Sequence, residues 1–134
     1  MLFPSGSAQL QPGGEKQLAS VAQRLIEIGS RIPKEINWVL QVDGHTDDKP
    51  IRSVVYPSNW ELSAARASSV VRLFIDNGVA QARLSVIGYG PNRPVTSNET
   101  AEGRARNRRV TVMILAETPG AVVDIPLDGA ASAR

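Results

Sequence analysis

Between Val42 and Ala67 the chain gathers its only histidine, His45, two adjacent carboxylates, Asp47 and Asp48, and at the far end an arginine, Arg66. Histidine and carboxylates suit zinc or a related ion, which would allow a metal-dependent hydrolase acting through His45, Asp47 and Asp48. Against that reading, no second histidine or cysteine exists to complete the usual ligand set. The other reading of Gly44-His45-Thr46-Asp47-Asp48 is a turn in which Thr46 and Asp47 cap backbone N–H groups. Nucleophilic catalysis finds no Gly-x-Ser-x-Gly elbow and no Ser-x-x-Lys pair, and no glycine-rich phosphate loop ends in Lys-Ser/Thr. The sequence therefore reads as non-catalytic, without metal or cofactor. A carboxylate and an arginine remain. Asp47 can accept an ammonium and Arg66 can hold a carboxylate by two parallel hydrogen bonds, so together they suit a zwitterion. The alternative is that Asp47 and Arg66 pair only with each other, as a partly buried ion pair.

The elements around these residues follow from periodicity. Leu2-Phe3 reads as a short strand, followed by a Pro4-Ser5-Gly6-Ser7 break. From Pro12, a residue suited to a first helical turn, Leu18, Val21, Ala22, Leu25, Ile28 and Ile32 form one apolar stripe, and Pro33 stops the helix. The period then changes to two: Ile36, Trp38, Leu40 and Val42 share one face of a strand that Gly44 ends. A long connection with Pro50 and Pro57 carries the candidate site to a second helix, opened by a capping box of Ser58 and Glu61 and closed at Asn77-Gly78. Arg66 lies on or beside that helix's apolar stripe, where its charge needs a partner. Arg83 to Tyr89 reads as a strand, Asn98 as the cap of a short helix through Arg106, and Val110 to Leu115 as a strand apolar on both faces and hence central or doubly covered. This β-α-β-α-β-(α)-β order implies an α+β fold, a two-layer sandwich of helices on a sheet, in which ligands tend to bind beyond strand ends.

Composition narrows the remaining classes. With 134 residues, 42% hydrophobic and 21% charged, the chain is sized for one domain, expected over 1–117, with a loose extension over 118–134. A net charge of +2 is no polycation, and with 4% aromatic residues there is little to stack on bases, so nucleic acid is not expected as a partner. The cluster Arg104, Arg106, Arg108 and Arg109 reads as solvated or paired with Glu99 and Glu102. On a strand starting at Asn107, however, one of the last two must face inward or toward the site. No apolar run approaches the ~20 residues that span a bilayer. The chain is expected to be soluble by itself, with any membrane attachment through a segment outside it.

These residues also carry a resemblance. Phe3-Pro-Ser-Gly-Ser-Ala8, Val42-Asp-Gly-His-Thr-Asp47, Asn59-Trp-Glu-Leu-Ser-Ala-Ala-Arg-Ala67, Arg83-Leu84 with Gly88-Tyr-Gly90, Pro94, and Asn98-x-Thr-x-x-Gly-Arg-Ala-x-Asn-Arg-Arg-Val110 stand in the order found in the OmpA/MotB-type peptidoglycan-associating domain. The resemblance covers about Phe3 to Leu115 and implies an OmpA-like sandwich with a mixed sheet. It further implies binding of the peptide stem of peptidoglycan through the free amino-acid end of meso-diaminopimelate. By motif position Asp47 would face the ammonium and Arg66 the carboxylate, with Thr46, Asn59 and Leu62 at the pocket and Arg108 bracing it. The connection from Asp47 to Asn59 is longer than in outer-membrane members, and Pro57-Ser-Asn-Trp-Glu-Leu-Ser63 resembles the flagellar stator branch, whose members often dimerise. That implies a periplasmic domain of an inner-membrane-anchored protein. A stator role itself rests on a transmembrane segment that these residues do not include.

Overall fold

The computed structural model describes residues 2–117 and 125–127. Helix α1 spans Pro12–Ser30, strand β1 Trp38–Gly44, helix α2 Asn59–Asp76, strand β2 Leu84–Gly88, helix α3 Ala101–Asn107 and strand β3 Val110–Ala116, with a 3-10 turn at Gln81–Arg83. The sheet has the order β2-β1-β3. β1 runs parallel to β2, with Val42 opposite Val86, and antiparallel to β3, with Val42 opposite Val112. Among the described residues three helices and a mixed three-stranded sheet thus make the expected α+β sandwich.

The core lies between the sheet and the two long helices. Leu18, Ala22 and Leu25 of α1, Ala67, Val70 and Phe74 of α2, and Leu40 and Val42 of β1 form one buried cluster. The apolar stripe of α1 is therefore real, but the helix ends at Ser30 and Ile28 is 47% exposed. At its start α2 departs from the expected capping box. The Ser58 hydroxyl accepts from the Trp60 N–H at 3.2 Å and donates to the Glu61 carboxylate at 2.6 Å. At its end, Gly78 takes a φ of +97°, which lets its own N–H reach the Ile75 carbonyl and the Val79 N–H reach the Phe74 carbonyl. That double bond is the Schellman closure the Asn77-Gly78 pair predicts. Gly44 sets how near α2 sits to the sheet, because a Cβ there would overlap the Ser63 carbonyl.

Three expectations are corrected. Leu2-Phe3 forms no strand: the Leu2 carbonyl accepts from the Gln11 N–H at 3.1 Å, folding the segment back over the start of α1, and Phe3 enters the core at 1% exposure. Among the described residues β3 lies at one side of the sheet, with β1 central, where the sequence reads β3 as central or doubly covered. Of its apolar residues, Val110, Val112 and Ile114 pack against the core, whereas Met113 is half-buried and Leu115 exposed. Thr100, not Asn98, caps α3, its hydroxyl accepting from the Gly103 N–H at 2.9 Å. The edge strand read over Val122 to Leu127 and the loose extension over 118–134 lie outside the described residues, apart from 125–127.

Candidate functional site

The connection leaving β1 is pinned from both sides before it reaches Asp47. The His45 N–H donates to the Arg109 carbonyl at 2.9 Å, and the Thr46 N–H to the Gly90 carbonyl at 3.0 Å, so the loops after β2 and before β3 hold it. His45, Thr46 and Asp47 are in consequence all buried. The Thr46 hydroxyl donates to the Asp47 carbonyl at 2.8 Å. One Asp47 carboxylate oxygen accepts from the Lys49 N–H at 3.1 Å, the turn-capping role read from the sequence. The other accepts from Arg108 at 2.8 Å.

Arg66 does not pair with Asp47. Its side chain is wholly buried, with its guanidinium 5.4 Å from the centre of the Phe3 ring. Nε donates to the Ser7 carbonyl at 2.9 Å and Nη2 to the Pro4 carbonyl at 3.1 Å, while Nη1 is buried with no acceptor. The partner the sequence demanded is thus the backbone of the Pro-Ser-Gly-Ser segment, wrapped around the head of the arginine. Burial, followed by the charge of Arg108, pulls the Arg66 pKa down to about 10, against the opposing pull of Asp47. It stays a cation at neutral pH.

Thr46, Asp47, Asn59, Leu62, Arg66 and Arg108 all line one cavity of about 160 Å³. The structure therefore brings together the six residues that the sequence assigns to the pocket, but not His45 or Asp48. Ser5, Gly6, Lys49, Pro50 and Ile51 complete its wall and were not foreseen. Their loop positions bring them there, and loop position leaves no residue-type signal in the sequence. Asn107 was also missed as a functional support. Fully buried, it accepts from the Val95 and Thr96 N–H groups and donates to the Thr96 carbonyl and the Asn98 side chain, which satisfies its amide and fixes the approach to Arg108.

Arg108 occupies the C-terminal cap of α3, two residues before β3 begins, and reaches the site from there instead of from a strand face. The rest of the basic cluster disperses. Arg104 donates to the Asn98 carbonyl and Arg109 to the Arg93 carbonyl, and no ion pair to Glu99 or Glu102 forms among the described residues. His45 stacks on Tyr89 at 5.2 Å, and Arg93 lies 4.4 Å from the centre of the Tyr89 ring. Burial, followed by the charge of Arg109, lowers the His45 pKa to about 4. Neither His45 nor Asp48 lines the cavity, and among the described residues no three of His, Asp or Glu converge on one point.

A mixed sheet carrying two helices on one face, with a buried arginine and a carboxylate opening into one cavity at the strand end, defines an OmpA-like domain of the MotB type. The chain belongs to the OmpA family, whose model matches residues 2–108. It is 49% identical over 116 residues to motility protein B of Bacillus subtilis, covering 86% of this chain and 42% of that protein. The periplasmic domain of Helicobacter pylori MotB (residues 97–256) superposes with a TM-score of 0.74 at 27% identity, covering 88% of this chain and 77% of that one. The cell wall anchor of the T6SS from Pseudomonas aeruginosa gives 0.70 at 38% identity, covering 87% and 76%. The chain thus spans less than half the length of the curated relative it matches. Among the described residues no helix is long and apolar enough to cross a membrane.

Proposed function

We propose that this domain binds cell-wall peptidoglycan through the diaminopimelate of the stem peptide and so anchors its parent protein to the wall. The observation that carries the reading is Arg66: a wholly buried cation whose Nη1 has no acceptor, at the wall of a cavity that also presents Asp47. A buried charged donor left unmet is costly, and a ligand carboxylate in the cavity would meet it. An ionised carboxylate has about four lone-pair positions, so Asp47 keeps room for a ligand ammonium beside its bonds to Arg108 and the Lys49 N–H. Asn59, Leu62 and Thr46 bound the space between these two ends. Binding of this kind breaks no bond. The reading agrees with the wall-anchor relative, and it goes with a periplasmic domain of a protein held at the inner membrane.

The test is selectivity. Diaminopimelate ends in an α-amino-acid group and lysine in a bare ammonium, so Arg66 has a use only for the first. Loss of the carboxylate leaves the guanidinium without its acceptor, at about 2–4 kcal/mol, or about thirtyfold to a thousandfold in affinity. Calorimetric titration of matched muropeptides differing only at this residue, at fixed salt, is expected to give that preference. Equal affinities would remove Arg66 from the binding mechanism. Incubation with sacculi should pellet the protein without releasing soluble fragments, and released fragments would overturn the non-catalytic reading.

A further inference from the structure

The cavity carries more positive charge than a zwitterion can use. Three cations, Lys49, Arg66 and Arg108, line it against one carboxylate, Asp47. Arg108 and Asp47 neutralise each other at 2.8 Å, the sole ion pair among the described residues, which leaves Arg66 and Lys49 uncompensated. A bound amino-acid group adds one charge of each sign, so the excess remains after it binds.

Lys49 is also held in place more firmly than an exposed loop lysine has need to be. Its N–H donates to Asp47 at 3.1 Å, its carbonyl accepts from the Asn59 amide at 3.0 Å, and Pro50 stiffens the chain directly after it. Two cavity residues thus clamp its backbone at the rim, while its side chain stays exposed and makes no ion pair. On the reading that the cavity takes the diaminopimelate end, we infer that Lys49 forms a second anion position, which recognises a free carboxylate of the stem next to the zwitterion. Two groups offer that chemistry: the α-carboxylate of the γ-linked glutamate preceding diaminopimelate, and the chain-end carboxylate of the stem. The domain therefore distinguishes free from amidated stems, and Lys49 is the residue that sets the preference.

Calorimetry on four diaminopimelate tripeptides decides this: both carboxyls free, the glutamate α-carboxyl amidated, the chain end amidated, and both amidated. The wild type should lose about three- to fivefold on one of the two single amidations, the range of a rim-exposed ion pair, and the loss should shrink as salt is raised. Which single amidation matters identifies the carboxylate. In Lys49→Gln the amidation effect should vanish, and in Lys49→Arg it should persist. A wild type indifferent to amidation, or a Lys49→Gln protein that keeps the wild-type ratio, overturns the inference. Run beside the lysine-containing peptide, the series separates two failures. Indifference to amidation with a preserved diaminopimelate preference refutes Lys49 alone, and no diaminopimelate preference refutes the reading beneath it.

Discussion

Asp47 and Arg66 open into the same cavity yet are held by opposite means. Asp47 sits on a connection stapled by hydrogen bonds from the flanking loops, and its charge is balanced by Arg108. Arg66 sits in the interior of α2 against Phe3, and its charge is met only by two backbone carbonyls of the N-terminal segment. One charge is neutralised by a neighbouring side chain, and the other is built into the fold with a donor left over. Substitutions at the two positions should therefore separate stability from binding.

The largest effect should come from Arg66→Ala. It leaves the Ser7 and Pro4 carbonyls without their donor and empties a fully buried volume behind Phe3, at about 3–5 kcal/mol by analogy with removing one member of a buried charged contact. Urea denaturation checks it, and wild-type stability would break the contrast between the two halves. Asn107→Ala should follow at about 2–3 kcal/mol, because the Val95 and Thr96 N–H groups lose their acceptor. Hydrogen exchange at those two amides should accelerate. Unchanged protection there would show that Arg108 is positioned by something other than this asparagine.

Acid should act on the Asp47 side through its neighbour His45. The histidine pKa is lowered from the ordinary 6.5 to about 4, so between those values the unfolded chain binds a proton that the folded one refuses. Stability is then unaffected by this group above pH 6.5, falls as pH drops below it, and stops falling near pH 4. The loss should reach about 1–2 kcal/mol at pH 5. Comparing urea midpoints at pH 7 and 5 for the wild type and His45→Gln isolates it, and equal slopes would acquit the histidine. Asp47→Asn should be mildest for the fold, at about 1–2 kcal/mol, because the amide oxygen can still accept from Arg108 and only the charge of this buried pair is lost. It should nonetheless abolish sacculus pelleting. An Asp47→Asn protein that pellets normally would take the carboxylate out of the site.

Much of this molecule is legible because its signals are local. The steps of three and four in α1, the alternation through Trp38, Leu40 and Val42, and the Ser58 and Asn77-Gly78 boundaries each depend on neighbours a few residues away. The same holds for the turn at Asp47, whose cap reaches only to Lys49. The order of the motifs likewise determined the family and named six residues that proved to share one cavity.

What the sequence could not decide is how distant segments satisfy one another. Periodicity showed Arg66 to need a partner, but backbone carbonyls have no residue-type signature, and the Pro4 and Ser7 acceptors lie 62 and 59 residues away. The pairing of Asp47 with Arg108 spans 61 residues and depends on Asn107 ordering the loop before it. The place of β3 beside β1, outermost among the described strands, was equally hidden, because apolar residues on both faces of a strand report covering and not neighbours. Only the folded chain brings these groups within hydrogen-bonding range, and burial then decides which charge is neutralised and which is left facing the cavity.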